Sequence, residues 1–517
     1  HIKGQALAIA LVIACGVGMY VMSNGMLQSL EETRRAYYER YRFADVIAPV
    51  KRAPESIINS IAALPGVRRA EGRIRVGAVL DVAGASAPVT GVLISLPETR
   101  RLPINALVLR QGRYPDPAKP EEVLVLEGFA QAHGLALGDS LSAILHGTRR
   151  ALTMVGTVLS PEFVYAIAPG ELVPDDRRYG VLWMQRRALA SAFDLDGAFN
   201  EALLLLGQDA QQRGLIAGLD RLLEAYGTPG AYGRDRQLSD QFLSNEIEQL
   251  RVMGRLLPPI FLLVATFLLN VVIGRLIDTE REQIGLLKAL GYSTFEIAAH
   301  YLKLSLGIGA IGVVIGWLLG LAASQAMASV YVEYFHFPYL IFAQRPSVYV
   351  IGAAAGLFAA FAGALLAVRR VAGLSPAVAM SPPAPTRFRR GLLDRLIRVL
   401  KPEQPTMMIL RAIGRWPLRA ALTCLGIATS ASIIVAGLFM FDSFDELLDV
   451  AFVQANRQDA ILEFAIERPE AVLDAVEDLP GVLKAEGALS VAAKLTHGHR
   501  SRTIGIEAAR PENDLVR

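Results

Sequence analysis

The sequence predicts an α-helical polytopic membrane protein with a large mixed α/β extracytoplasmic domain on helical stalks. The chain of 517 residues is 53% hydrophobic and has a mean hydropathy of +0.37, too apolar for a soluble protein of this length. Five long apolar stretches carry no Asp, Glu, Lys or Arg. Between the first two lies an insert of strand-like and helix-like segments, large enough to be a domain in its own right.

The charged fraction is 20%, close to normal, so soluble domains must accompany the apolar stretches. A net charge of +3 is too small to argue for nucleic acid. Cys15 and Cys424 both lie in apolar runs, imply no disulfide framework, and read as small buried residues. The chain starts at His1 and stops at Arg517 soon after a strand-like run, so both ends read as cuts through a longer protein. The first apolar run lacks a small-residue cleavage site, so it reads as a retained span.

A helix needs roughly 20 apolar residues to cross a bilayer. Residues 6–22, 256–274, 304–332, 348–368 and 420–441 meet or approach that length. Orientation follows from basic residues in short loops. The segment 369–419 carries Arg369, Arg370, Arg387, Arg389, Arg390, Arg395, Arg398, Lys401, Arg411, Arg415 and Arg419 against only Asp394 and Glu403, which predicts a cytoplasmic loop. The loop between the third and fourth spans has one basic residue, Arg345, and is expected outside. By alternation the long insert is extracytoplasmic. Gly312, Gly316, Gly320 and Ser324 in the third span, and Gly352, Gly356, Ala360 and Ala364 in the fourth, form small-residue rows that predict close helix packing. The spans hold little polar beyond Asn270 and Gln325. An ion-driven carrier usually needs ionisable groups at membrane depth, so that class is disfavoured.

Past the first span the pattern turns amphipathic without a break, with Met26, Leu30, Thr33 and Tyr37 on one face. Leu243, Ile247 and Leu250 do the same before the second span. Both stretches predict stalk helices, with a bend expected at Pro258 and Pro259. Between the stalks, strands are expected at 44–50, 73–82, 87–96, 122–127, up to 145, and 151–159. Helices are expected at 54–64, up to His133, and within 215–251 with a break at 227–230.

One motif recurs. Leu64-Pro-Gly-Val67 followed by Ala70-Glu-Gly72 returns as Leu479-Pro-Gly-Val482 followed by Ala485-Glu-Gly487, 415 residues on, and Arg52-Ala-Pro-Glu55 returns as Arg468-Pro-Glu470 with one residue dropped. Each copy follows an apolar span and an amphipathic stretch, in the second case carrying Phe444, Leu447, Leu448 and Ala451. Repeated halves are common in transport proteins. The expected layout is a first span over 1–23, then stalks and the first α/β domain over 24–252. Three spans fill 253–372, with a cytoplasmic helix at 278–291. A basic linker over 373–418 leads to a fifth span over 419–442 and to a second, truncated extracytoplasmic domain over 443–517.

The segment 278–292 reads as a short helix between two spans. Ile284, Leu287 and Lys288 share one face and Leu286 and Leu290 another; Gly291 is a helix stop, and Ser293 with Glu296 can cap the next helix. Two apolar faces on so short a helix suit either a protein partner or the bilayer surface, and periodicity alone does not choose.

The run Arg281-Glu-Gln-Ile-Gly-Leu-Leu-Lys-Ala-Leu-Gly291 resembles the coupling region of FtsX/MacB-type ABC transporter permeases. The layout resembles the duplicated, eight-span form of that family, with Leu374-Ser-Pro-Ala377 in the place of its cytoplasmic element and a MacB-like periplasmic domain in the insert. Gln283 departs from the pattern, where a second acidic residue is frequent. The resemblance implies a multi-pass protein of the bacterial inner membrane that works with two copies of a MacB/LolD-type ATPase subunit, and with membrane lipid and a periplasmic adaptor or hydrolase as further partners. It implies partner-coupling roles for Glu280, Arg281, Glu282, Ile284, Gly285, Leu287, Lys288, Leu290 and Gly291. The chain contains no G-x-x-x-x-G-K-[ST] phosphate loop, so ATP and Mg are expected on the partner and no cofactor on this chain. The implied function is export or extraction of a hydrophobic or lipid-linked substrate. The alternative is a non-transporting regulator that passes ATPase motion to a periplasmic hydrolase or sensor. No catalytic or metal-ligating residue is assigned, because His497-Gly-His499 sits in an expected hairpin turn without a third ligand.

Overall fold

The structure is a computed structural model that describes residues 2–82, 89–99, 102–168, 174–372, 404, 406, 417–462, 464, 468–497, 500–511 and 513–516. It divides into two compact units, His1–Met380 and Ser381–Arg517. In chain order the first holds α1 (Ile2–Tyr41), β1 (Val46–Pro54), α2 (Ile57–Ala62), β2 (Val67–Arg73), β3 (Arg75–Asp81), β4 (Val89–Leu96), β5 (Val108–Gly112), β6 (Glu122–Leu126) and α3 (Glu127–Ala132). It continues with β7 (Ser140–Leu145), β8 (Thr148–Leu159), β9 (Tyr179–Gln185), α4 (Arg186–Ala192), β10 (Ala198–Leu206), α5 (Gln212–Leu223) and β11 (Tyr232–Gly233), then α6 (Leu238–Thr279), α7 (Arg281–Ala289), α8 (Thr294–Tyr334) and α9 (Pro346–Ala372).

Four of these helices, α1, α6, α8 and α9, are long and apolar enough to cross a membrane, and the protein is a multi-pass membrane protein. α1 and α6, of 40 and 42 residues, are each about 60 Å long at 1.5 Å per residue. Each therefore crosses the apolar layer and continues as a stalk without a break. α6 runs on through Pro258 and Pro259. The stalks are tied by Arg251 to Glu31 at 2.6 Å and by Arg34 to Ser244 at 3.0 Å.

The small-residue rows explain the packing. A Cβ on Gly312, Gly316 or Gly320 of α8 would stand 2.7–2.9 Å from the Ala10, Ala14 or Gly18 carbonyl of α1. Only glycine lets the backbones come that close. Gly363 of α9 approaches Thr266 of α6 in the same way. Asn270 is a packing residue that donates to the Gly363 carbonyl at 3.3 Å. Cys15 and Cys424 are exposed, not buried as their apolar surroundings suggested; Cys15 faces away from the packed side of α1.

The insert folds as a head of two sheets. The four-stranded sheet, in order β11-β1-β10-β2, packs Val46, Ala48 and Phe199 with Ile61 of α2 and Leu215, Leu219 and Leu223 of α5. The larger sheet runs β5-β8-β6-β9-β4-β3-β7, and β8 pairs with β7 as well. This closes six strands into a ring around Leu80, Leu93, Val123, Phe129, Leu141 and Leu182. β2, β5, β9, α4, β10 and β11 were not among the expected elements. β9 is buried at every position and so lacks alternation, and most of β10 is likewise buried. β2 is a polar edge strand.

A buried ionic cluster holds the head to the top of α6. Arg73 Nη1 and Nη2 clamp Glu162 at 2.7 and 2.6 Å, and Arg73 Nε reaches Glu201 at 2.5 Å. Asn105 donates to Glu162 at 2.9 Å, and Gln237, the N-cap of α6, donates to the Glu162 carbonyl at 2.8 Å. Burial pushes the Glu162 carboxyl up, but Arg73 and Arg75 outweigh it and hold the group below the usual carboxylate range.

The second unit holds α10 (Pro417–Asp449), α11 (Val472–Glu477) and the antiparallel hairpin β12 (Ala488–His497) and β13 (Arg500–Ala509). α11 stands at the same 415-residue offset from α2 as the recurring motif. The Leu64-to-Val67 turn bond, 3.1 Å, is repeated from Leu479 to Val482 at 3.2 Å, and Gly66 and Gly481 have φ of +89° and +93°. The same offset sets Ala488 and Ser490 in the places of Arg73 and Arg75. Nearly all of the basic linker, including Leu374-Ser-Pro-Ala377, lies outside the described residues, as does His499.

Gly316→Leu should destabilise the bundle by about 1–3 kcal/mol through overpacking. Gly307→Leu is its control, since a Cβ there meets nothing within 4 Å. Thermal unfolding of the full chain in detergent should show a lower midpoint for the first only. Burial raises the Glu71 carboxyl to about 7, against the pull of Arg73. The folded chain therefore binds this proton in a range where the unfolded chain has lost it, so stability falls as pH rises from the ordinary carboxylate range to about 7. Glu71→Gln should flatten that part of the pH profile.

Candidate functional site

Nine residues between α6 and α8 form α7, at the end of the bundle opposite the head. The expected helix over 278–291 is shorter in the structure. Asp278 and Thr279 finish α6, and Glu280 is the joint, with φ −90° and ψ 13°. Its amide bonds back to the Leu276 carbonyl at 2.9 Å while its own carbonyl accepts from Ile284 at 2.9 Å. Tyr301 of α8 donates to the Glu280 carboxylate at 2.6 Å.

At the other end, the Gly291 amide bonds to the Lys288 carbonyl at 3.2 Å and the Tyr292 amide to the Leu287 carbonyl at 3.1 Å. With Gly291 at φ +99°, this is a paired-bond helix stop that needs a left-handed residue. The chain then turns directly into α8. Ser293 accepts from the Glu296 amide at 3.2 Å, and the Glu296 carboxylate accepts from the Ser293 amide at 2.8 Å.

The nine sequence-predicted residues separate into buried, half-buried and exposed groups. Ile284, 1% exposed, and Gly285 are buried. Ile284 joins Ile277, Ile297 and Val368 in the apolar cluster of the bundle. It cannot face a partner as expected, because its side chain is the one that seats α7 on the spans. Glu280 is half-buried and held by Tyr301, which makes it a joint. Arg281 and Lys288 are half-buried, and Glu282, Leu287, Leu290 and Gly291 are exposed.

The outward surface is more apolar than predicted. Leu286 is 56% exposed, Leu290 69%, and they are joined by Leu287, Tyr292 and Phe295, the last 80% exposed. Leu286, Tyr292 and Phe295 were outside the predicted set, although the Leu286–Leu290 spacing already marked a second apolar face. Among the described residues, no group of three or more His, Cys, Asp or Glu is placed to hold a metal ion.

Residues 256–376 match the family model described as FtsX-like permease C-terminal. Among solved structures, the extracellular domain of the noncanonic ABC-type transporter YknZ from Gram-positive bacteria is 12% identical, covering 35% of this chain and 93% of that one, with a TM-score of 0.26. The periplasmic region of MacB from Actinobacillus actinomycetemcomitans is 14% identical over 41% of this chain and 98% of that one, also at 0.26. A domain of a putative permease protein from Porphyromonas gingivalis is 15% identical over 36% and 84%, at 0.23. Such low TM-scores give these likenesses no bearing on function. A comparison with curated proteins found no match.

Gly291→Val places a β-branched residue at a left-handed φ, at a cost of roughly 1–2 kcal/mol. Hydrogen exchange at the Leu290 and Tyr292 amides should quicken about tenfold, while exchange in the head stays unchanged.

Proposed function

We propose that this chain, which carries an FtsX-like permease domain over residues 256–376, is the permease subunit of an ABC transporter in the bacterial inner membrane. In this reading a separate ATPase, holding ATP and Mg, docks on α7, and its closure is coupled to export or extraction of a hydrophobic or lipid-linked substrate on the head side. The observation that carries the reading is the stripe of Leu286, Leu287, Leu290, Tyr292 and Phe295, exposed on an element held firmly by Ile284 and by the Tyr301–Glu280 bond.

A protein partner suits this surface better than a lipid one. Interfacial helices carry a cationic polar face, whereas the charges beside the stripe are mixed, with exposed Asp278 and Glu282 among Arg275, Arg281 and Lys288. The basic segment 369–419 favours the same side for the cytoplasm. Force entering at α7 has two direct exits, through the Glu280 joint into α6 and through the Gly291 turn into α8.

Leu287→Glu combined with Leu290→Glu should lower co-purification of an ATP-hydrolysing chain with the full-length protein at least tenfold and leave its thermal unfolding unchanged. Undiminished co-purification contradicts the docking surface, and absence of any ATPase from the unsubstituted complex contradicts the function.

A further inference from the structure

Residues 335–345, between α8 and α9, contain no helix or strand, yet they are bonded at both ends. On one side they run along α1. The Ile341 amide donates to Thr33 Oγ1 at 2.9 Å and the Ala343 amide to Ser29 Oγ at 3.0 Å. Ser29 and Thr33 lie one turn apart and are fully buried. The Ser29 hydroxyl donates to the Gly25 carbonyl at 2.8 Å, which leaves a lone pair for Ala343. Arg345 pairs with Glu32 just beyond.

On the other side the segment is fastened to the head. The His336 amide donates to the Val164 carbonyl at 2.8 Å, and its ring Nε2 meets Asp176 Oδ2 at 3.0 Å. A Cβ on Gly128 would stand 2.5 Å from both of those side-chain atoms, so glycine at 128 makes room for the pair. Phe335 lies 5.4 Å from the Tyr165 ring, and Phe337 lies 6.2 Å from Tyr37.

We propose that residues 335–345 are a strap that fixes the tilt of the head on its stalks, with the His336–Asp176 pair as its clasp. The head then has three connections to the spans. Two are the rods α1 and α6, and the third arrives from α8 and α9 through the strap. Any shift of α8 or α9 pulls on the head directly. This goes beyond the proposed function and rests on contacts within the chain, so it can stand or fall without the ATPase.

The clasp has a chemical signature. The charged groups facing the ring are Asp176 and Glu127 of α3, the latter held by Arg110 of β5 at 3.1 Å. Burial pulls the imidazole down, but the hydrogen bond and charge of Asp176 outweigh it, so the ring titrates above the ordinary histidine value. A raised value means that the charged clasp is fully present below that range and is lost as pH rises through it.

The test uses the full-length chain in lipid nanodiscs, with spin labels at the exposed Arg187 of the head and Leu318 of α8 and with Cys15 and Cys424 replaced. At about pH 6 the unsubstituted clasp should give one narrow distance distribution. His336→Ala, or Ser29→Ala with Thr33→Val at the far end of the strap, should widen it at least twofold. Raising the unsubstituted protein to about pH 9 should widen it too, and Asp176→Asn should remove that pH difference. A His336→Ala distribution as narrow as the unsubstituted one at about pH 6 overturns the proposal. If those substitutions prevent folding, Ser29→Ala alone decides, and a distribution as narrow as the unsubstituted one at about pH 6 overturns the proposal.

Discussion

Two helices do not end where the apolar layer ends, and the rest of the structure depends on that. α1 and α6 each run as one continuous helix from the far end of the bundle to the base of the head, α6 with Pro258 and Pro259 inside it. A continuous helix fixes the axial spacing of its residues at about 1.5 Å each, so it sets the distance between the two ends it joins. The stalk ties between Arg251 and Glu31 and between Arg34 and Ser244 keep the rods from sliding independently. In the proposed reading, a push at α7 would arrive at the head as a movement of the stalk pair.

Each end of the rods is finished by groups that leave little slack. At the far end, Ile284 and the Glu280 joint anchor α7, and with it the exposed leucines, to α6 and α8. At the head, Gln237 links the start of α6 to Glu162, and Glu162 is locked by Arg73. Removing one partner of such a buried pair leaves an uncompensated charge, which costs far more than the pair itself contributes. The cluster thus makes the head's seat on α6 specific. At the equivalent places of the second repeat stand Ala488 and Ser490, so that repeat lacks the same arginines.

Much of this was legible in the sequence because it is periodic. Apolar length marked the spans, small-residue rows marked the helix contacts, and the Ser293–Glu296 spacing marked the start of α8. β9 and β10 escaped because strands buried on both faces lose their alternation. Ile284 was placed on the wrong side for a related reason. A nine-residue helix with two apolar faces offers no pattern to say which face the spans take. Only the neighbours Ile277, Ile297 and Val368 decide it, and they come from three other helices. The strap was invisible for a third reason, since its bonds join backbone amides to side chains about 310 residues away.

The most direct test is to place a photo-crosslinking amino acid at Leu290 in the full-length chain in native membranes and identify what it captures. The account predicts capture of a chain with a phosphate-binding loop, at a yield that changes when non-hydrolysable nucleotide is added. Capture of lipid alone, or of a protein from the head side of the membrane, contradicts it.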